Sequence, residues 1–496
     1  MKSIVLLLIS SLLAQFVNAQ AVEAKKWTLQ ECIEKAQNEN LDVQSSRLNL
    51  ESAGYTLDQN NWNQAPSVNA GAGYGFNWGR SIDPTTNDFR TERINSIGVN
   101  ANANLLLWNG MQVRNAISRS KLDVFASEFE LQTAKNNIAL FVSNSFLTVV
   151  LNKELLQNNQ FQLEIAKEQL NRTEKLVNAG SLPISNKLDL ESQVATAELN
   201  VINAENALSL SLLNLKQLLL IPASEPFDVE IPEVADPGSG IFDNSPEAIY
   251  DIATGNLPDI KAAEYRAQSA EYQQKEARGG YYPSLSLNAG LRSNYSSAAD
   301  RERFISDGSS VIIPNTQLGY LRESDGSQGV AVYESPFSTL TTDATSSQTG
   351  GSFESSYPIT EQLSDNISQN LSVNLSIPIF NNMQTRINVQ RSKIAYERAQ
   401  ITKKSTENRV RNDIEQAYNN AVASSKTFQA RQKQVDALKE AFRVTEQRYN
   451  LGVVNSTDYQ VALNNLNAAE TDLVRAKYDY IFSLKVLDFY QGKDLY

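Results

Sequence analysis

Four segments of the chain alternate apolar and polar residues with a period of two. In Ser67 to Asn77, the residues Val68, Ala70, Ala72, Tyr74 and Phe76 oppose Ser67, Asn69, Gly71, Gly73, Gly75 and Asn77. Ile97, Val99, Ala101, Ala103, Leu105 and Leu107 oppose Gly98, Asn100, Asn102 and Asn104. Leu285, Leu287, Ala289 and Leu291 oppose Ser284, Ser286, Asn288 and Gly290, and Leu371, Val373, Leu375, Ile377 and Ile379 oppose Asn370, Ser372, Asn374 and Ser376. Successive side chains of a strand point to opposite faces, so strands are predicted at about 67–77, 97–107, 284–295 and 367–379. A soluble sandwich would show the same alternation. Two details favour a transmembrane barrel instead: the polar positions just named are small and uncharged, and runs of about 10 residues cross a hydrocarbon layer when tilted.

Four strands cannot close alone. Single-chain barrels begin at about 8 strands, and an open edge in lipid leaves backbone groups unpaired at several kcal/mol each. A barrel made from this chain is therefore oligomeric: two copies give about 8 strands with a filled interior, three give about 12 with room for a pore.

A period of seven takes over after each strand pair. Met111 to Ala179 and Met383 to Leu451 contain neither Gly nor Pro, and each would extend about 100 Å as a continuous helix. Leu156, Leu163, Leu170 and Val177 recur every seven residues, as do Phe428, Val435, Phe442 and Tyr449. Shorter runs behind them carry Val194, Val201, Leu208 and Leu215, and Leu466, Leu473, Tyr480 and Leu487. This is coiled-coil seam spacing. A long helical hairpin in a soluble scaffold protein would share it, but leaves the preceding strand pairs unexplained.

One glycine and a polar cluster interrupt each long run, in "VNAGSLPISNK" (Val177 to Lys187) and "YNLGVVNSTDY" (Tyr449 to Tyr459). Gly180 and Gly452 suit the left-handed position that ends a helix, and Pro183 suits the start of the returning one. Asn455 suits an N-cap, which puts Asp458 at the third helical position, where a carboxylate gains roughly 0.3–1 kcal/mol. Antiparallel hairpins with tips at 180–186 and 452–458 are expected.

Gly452 stands 272 positions after Gly180, and the same offset lays Leu107 to Arg114 on Ile379 to Arg386. An offset of 217 lays Ala65 to Tyr74 on Tyr282 to Leu291. The chain thus reads as two internal repeats, 20–221 and 247–496, each with leading helices, a strand pair and a long hairpin (111–221 and 383–491). The second holds 55 further residues between Tyr295 and Ile367, expected as a partly ordered, Ser/Thr/Gly-rich surface loop over 296–366. The proline-rich connector 222–246 is expected to run extended over the surface.

Composition narrows the function. Residues 1–19, with Lys2, an apolar run from Ile4 and a V-N-A site, read as a secretory signal peptide. An exported chain of net charge −12 has no basic stripe for nucleic acid. The absence of histidine removes the commonest general base and metal ligand; no catalytic, cofactor-binding or metal residues are expected, and no enzyme. The single cysteine, Cys32, aligns with Ile249 at the offset of 217 and reads as a small buried hydrophobe.

Signal peptide, duplicated strand pair and hairpin, and the tip motif G-x-x-x-[ST]-x-[DN] at Gly180 to Asn186 and Gly452 to Asp458 together resemble the TolC family of outer-membrane efflux proteins, over about Trp27 to Gly492. The resemblance implies an α+β membrane protein: a homotrimer whose strands, four per chain, form a 12-stranded transmembrane β-barrel continuous with a long periplasmic α-helical coiled-coil barrel, with 222–246 in an equatorial belt. It implies a passive channel in the cell outer membrane, in contact with its lipid, for efflux of small molecules or type I secretion. Such a duct docks onto a periplasmic adaptor (membrane fusion) protein and, through it, an inner-membrane transporter, and binds no cofactor. The docking tip would comprise Gly180, Ser181, Leu182, Gly452, Val453 and Val454.

In that family the tip is also the gate. Asp458 matches a ring aspartate and Tyr449 a tyrosine of the links between hairpins. Asn186 stands where an aspartate is usual, Val454 where an arginine link would be, and Val461 where a second aspartate ring would be. Asp458 as a helix-capping carboxylate and Tyr449 as a seam residue stay open beside those roles. The rival reading is a periplasmic coiled-coil adaptor or structural protein without a transmembrane barrel.

Overall fold

The computed structural model describes residues 25–82, 87, 89–91, 93–231, 245–299, 303–322, 328–334, 340–341, 345–354 and 357–493. The expected signal peptide (1–19), the connector from 232 to 244 and parts of 296–366 lie outside the described residues. The chain divides into a helical unit (up to residue 60, 112–278 and from 382) and a β unit (61–111 and 279–381). In chain order the elements are β1 (Lys26–Trp27), α1 (Leu29–Glu39), α2 (Leu41–Trp62), β2 (Ser67–Asn77), β3 (Arg80–Ile82), β4 (Phe89–Thr91), β5 (Ile94–Trp108), α3 (Gln112–Asn178), α4 (Ile184–Leu218) and β6 (Asp228–Val229). There follow α5 (Pro246–Asn256), α6 (Pro258–Gly279), β7 (Ser284–Ser296), β8 (Arg303–Pro314), β9 (Thr316–Arg322), β10 (Gln328–Glu334), β11 (Leu340–Thr341), β12 (Thr345–Glu354), α7 (Ile359–Asp365), β13 (Ser368–Ser376), α8 (Gln384–Asn450) and α9 (Ser456–Tyr490).

In the β unit an antiparallel sheet runs in the order β13-β7-β5-β2. Its register lines up Val68, Ala103, Ala289 and Leu371 across one face, and Asn69, Asn102, Gly290 and Asn370 across the other. The alternation of each strand thereby adds up to two continuous faces. The Asn370 side-chain amide lies over Gly290, where a Cβ would displace it. β13 stops at Ser376, short of the expected 379, because Pro378 has no N–H for the ladder.

The 296–366 stretch is more than a surface loop. β8 pairs with β12 from Arg303↔Glu354 to Pro314↔Thr345, and β9, β10 and β11 form a second small sheet. α7 docks on β7, with Ser293 Oγ donating to Leu363 O and Asn366 Nδ2 donating to Asn294 O (2.8 Å). Short β-formers such as "VII" and "VAVY" sit inside the Ser/Thr/Gly-rich composition and specify strands there.

In the helical unit, α3 and α8 are each 67 residues long, α4 and α9 each 35, α2 and α6 each 22, and α1 and α5 each 11. α3 pairs with α4 and α8 with α9. The heptad residues line these pairings: Val194, Leu215, Val435, Leu466, Tyr480 and Leu487 are buried and the others half-buried. One stretch of α3 is long and apolar enough to cross a membrane by length and composition. Its Val142, Phe146, Val149 and Val150 are instead buried in a cluster with Cys32, Ile33, Leu215, Val229 and Ile481, which accounts for the apolarity. Cys32 is fully buried, and desolvation pushes its thiol up to about 12. Its counterpart Ile249 is buried in a second cluster with Ile414 and Leu487.

The start of the connector departs from the expected surface course. β6 pairs in parallel with β1, Phe227 and Val229 are buried, and Lys153 Nζ donates to Val229 O (2.7 Å). Its other end is already helix, with Pro246 first in α5 behind the Ser245 cap. The prolines exclude continued helix, yet they neither prevent a two-residue strand nor exclude proline from the first helical turn.

Candidate functional site at the helical tips

Both hairpins turn the same way. Gly180 has φ +74° and Gly452 φ +72°. Gly452 N–H donates to Tyr449 O (2.9 Å) and Val453 N–H to Arg448 O (2.9 Å); Gly180 N–H donates to Val177 O (2.9 Å) and Ser181 N–H to Leu176 O (2.8 Å). This Schellman closure needs a positive φ, hence one glycine among good helix formers. The returning helices begin differently. Asn455 Oδ1 accepts from the Asp458 N–H (2.8 Å), whereas Pro183 occupies the N-cap of α4 with no side-chain bond.

Different chemistry fastens each turn. In the first hairpin Lys187 Nζ reaches Glu174 (2.7 Å) and Glu191 (3.7 Å), and the hydrogen bond to Glu174 raises the ammonium pKa. The residue 272 positions after Lys187 is Tyr459, which is buried, its ring 4.7 Å from Tyr449 and 5.4 Å from Phe442. Its hydroxyl accepts a hydrogen bond from Gln169 Nε2 (2.6 Å) on α3. Burial, with Glu446 next in effect, pushes the phenol up to about 12, so it stays neutral. Tyr459 thus joins α9, α8 and α3 at one point. Further along the same helix pair, Tyr478 Oη donates to Glu154 on α3 (2.6 Å). Sequence reasoning singled out Tyr449 and missed Tyr459, whose partner Gln169 is 290 positions away.

A cleft of about 940 Å³ lies around this joint, bordered by Leu182, Asn186, Tyr449, Gly452, Val454 and Tyr459. The structure thus brings Asn186, Tyr449 and Val454 together. Asp458 stays outside, exposed on the first turn of α9. Gly180, Ser181 and Val453 are also exposed, and Leu451 beside Gly452 is 79% exposed. Among the described residues no group of three or more Cys, Asp or Glu side chains is placed to hold a metal ion.

A family model for outer membrane efflux proteins matches residues 32–219 and 335–493, well over half the chain. The chain belongs to the outer membrane efflux protein family. This agrees with the TolC-family resemblance carried by the tips and the strand–hairpin order, and makes the chain an outer-membrane protein of a channel family. Similar curated proteins include the pyoverdine export outer membrane protein OpmQ of Pseudomonas aeruginosa, 28% identical over 237 residues, covering 46% of this chain and 47% of OpmQ. The outer membrane efflux protein BepC of Brucella suis is 24% identical over 268 residues, covering 53% of this chain and 54% of BepC. The chain therefore spans about half the length of the curated relatives it matches.

Solved structures extend the likeness over nearly the whole fold. The outer membrane protein VceC of Vibrio cholerae matches with a TM-score of 0.70 at 15% identity, over 94% of this chain and 97% of that one. The open-state MtrE outer membrane channel of Neisseria gonorrhoeae matches with a TM-score of 0.67 at 17% identity, over 94% and 89%. At these identities the likeness speaks for the α+β channel fold.

Proposed function

We propose that the chain is a passive exit duct for efflux or type I secretion. Three copies close their sheets into one 12-stranded transmembrane barrel, and the tips dock onto a periplasmic adaptor that links them to an inner-membrane transporter. The four-stranded sheet carries this reading. Its apolar face is largely exposed, with Val68 69%, Leu371 73% and Leu375 62% exposed, and β2 and β13 are its edge strands. Exposed apolar faces and unpaired edges are liabilities in a water-soluble monomer; lipid covers the first and neighbouring copies pair the second. The rival periplasmic protein leaves both features unexplained.

The two-repeat organisation supports self-assembly and supplies its contact. α6 rests on α3 through Tyr265 stacked on Phe129 (5.6 Å) and through Arg266 with Asp123 (3.1 Å) and Glu130 (2.8 Å). The residue 217 positions before Tyr265 is Leu48 on α2, and the residue 272 positions after Phe129 is Ile401 on α8. Leu48 is 63% and Ile401 70% exposed, each in an exposed row spaced by seven: Leu41, Leu48 and Tyr55, and Ile387, Ile394 and Ile401. In a ring of copies, α2 of one chain meets α8 of the next as α6 meets α3 within a chain. Cell fractionation tests the whole reading: the protein should enter the outer membrane as a detergent-resistant trimer, and recovery as soluble monomer overturns it. Leu48→Asp should shift the trimer towards monomer, because it puts a charge into that seam.

At the tip, three exposed Asp458 carboxylates facing one axis attract cations. Asp458→Ala should lower cation preference, and blockade by multivalent cations, in planar bilayers; unchanged selectivity would leave Asp458 only its place in the capped first turn. The tip is loosely held in this reading, since Val454 and Asn186 supply no charged link and the Tyr449 ring is committed to Tyr459.

A further inference from the structure

The four barrel strands contain one charged residue, Arg292 on β7. It belongs to the polar face. The register sets it opposite Asn100 of β5 and Ser368 of β13, with Gly71 of β2 beyond Asn100. The neighbouring polar position on its own strand is Gly290, whose space is taken by the Asn370 amide. Its neighbours across the strands are thus amide, hydroxyl and glycine. Arg292 is exposed and makes no ion pair among the described residues. Its guanidinium carries a positive charge and five donors in a fixed fork.

We propose that Arg292 makes the barrel lumen an anion-attracting ring, and that the solutes leaving through it include small carboxylate- or phosphate-bearing anions. The inference rests on the closed-trimer reading, in which the polar face lines the pore. On the lipid face the same arginine would be a charge exposed to hydrocarbon, so its place among Asn, Ser and Gly agrees with that facing. Twelve strands about 4.8 Å apart and tilted about 40° give a backbone radius of about 12 Å. The arginine side chains span part of that distance. The pore axis then lies within about one Debye length, roughly 8 Å at physiological ionic strength, of three guanidiniums. Each guanidinium offers a fork of donors that matches a carboxylate or phosphate. No acidic side chain in the four strands offsets this charge, although the chain as a whole is acidic.

The test is reversal potential across a KCl gradient in planar bilayers, with purified trimer at about 0.1 M salt, repeated near 1 M. Arg292→Gln should lower the anion-to-cation permeability ratio about sevenfold, since a change of one kT in lumen potential changes the local concentrations of anions and of cations by about threefold each, in opposite directions. Arg292→Lys should keep the wild-type ratio. Ser368→Asp, which places a carboxylate opposite Arg292, should mimic Arg292→Gln and serves if that variant assembles poorly. The difference should shrink near 1 M, where the Debye length falls to about 3 Å. Citrate and inorganic phosphate, added separately, should reduce wild-type conductance more than that of Arg292→Gln, and whichever acts more strongly names the preferred anion. Conducting pores with equal selectivity in wild type, Arg292→Gln and Ser368→Asp would overturn the anion ring alone. A wild-type trimer that forms no pore would overturn the duct itself.

Discussion

Leu375→Arg is expected to abolish most of the trimer in the outer membrane, whereas Asn374→Arg, one position away, leaves trimer yield near wild type. Leu375, itself exposed, lies opposite Leu285 on the apolar face, and Asn374 opposite Ser286 on the polar face. A charge turned towards lipid costs about 2–4 kcal/mol near the midplane, while one turned into a wet lumen is tolerated. The cost recurs in every copy of an assembly whose strands must pair with their neighbours. The measurement is the trimer band in unheated detergent gels of the outer-membrane fraction. Equal yields for the two variants would contradict the proposed facing of the sheet.

Tyr459→Ala is expected to loosen the tip while leaving the rest of the helical unit folded. The substitution removes a buried ring in contact with Tyr449 and Phe442 and leaves Gln169 Nε2 without its acceptor. Truncating a buried aromatic costs about 3–5 kcal/mol. Amide exchange across residues 442 to 463 should then accelerate by roughly two to three and a half powers of ten, at 1.4 kcal/mol per factor of ten, if opening there is local. Tyr459→Phe keeps the stack and loses one hydrogen bond, about 1 kcal/mol, so its acceleration should be about fivefold. Unchanged protection in Tyr459→Ala would show that the tip is held elsewhere. Single-channel conductance gives a second reading: a looser tip should raise it in Tyr459→Ala and scarcely in Tyr459→Phe.

The two variants bear on features of different legibility. Leu375 and Asn374 could be placed on opposite faces from alternation alone, because a strand has a period of two and a shift of one residue exchanges its faces. The long helices were equally plain. An uninterrupted run without Gly or Pro, with apolar residues every seven, specifies a coiled-coil helix, and one glycine marks its end. Tyr459 was not legible as a joint. Its side chain meets Gln169 only because α9 lies on α3, and that adjacency leaves no local periodicity. The Tyr478–Glu154 bond, between residues 324 positions apart, escapes for the same reason. The strands within 296–366 were hidden by composition, since Ser and Gly favour turns and the short β-forming runs among them, such as "VII" and "VAVY", are too brief to show a period of two.

Taken alone, the order of residues gave the four long alternating strands and their two faces, the long helices, the turning points at Gly180 and Gly452, and the family resemblance. All four follow from patterns repeated over short distances and echoed at offsets of 272 and 217. The folded chain settled the partners: which helix receives Tyr459, that β6 returns to pair with β1, and that Arg292 stands among uncharged side chains. Partner choice depends on packing between segments hundreds of residues apart, and such contacts are selected by shape and burial rather than by spacing along the chain.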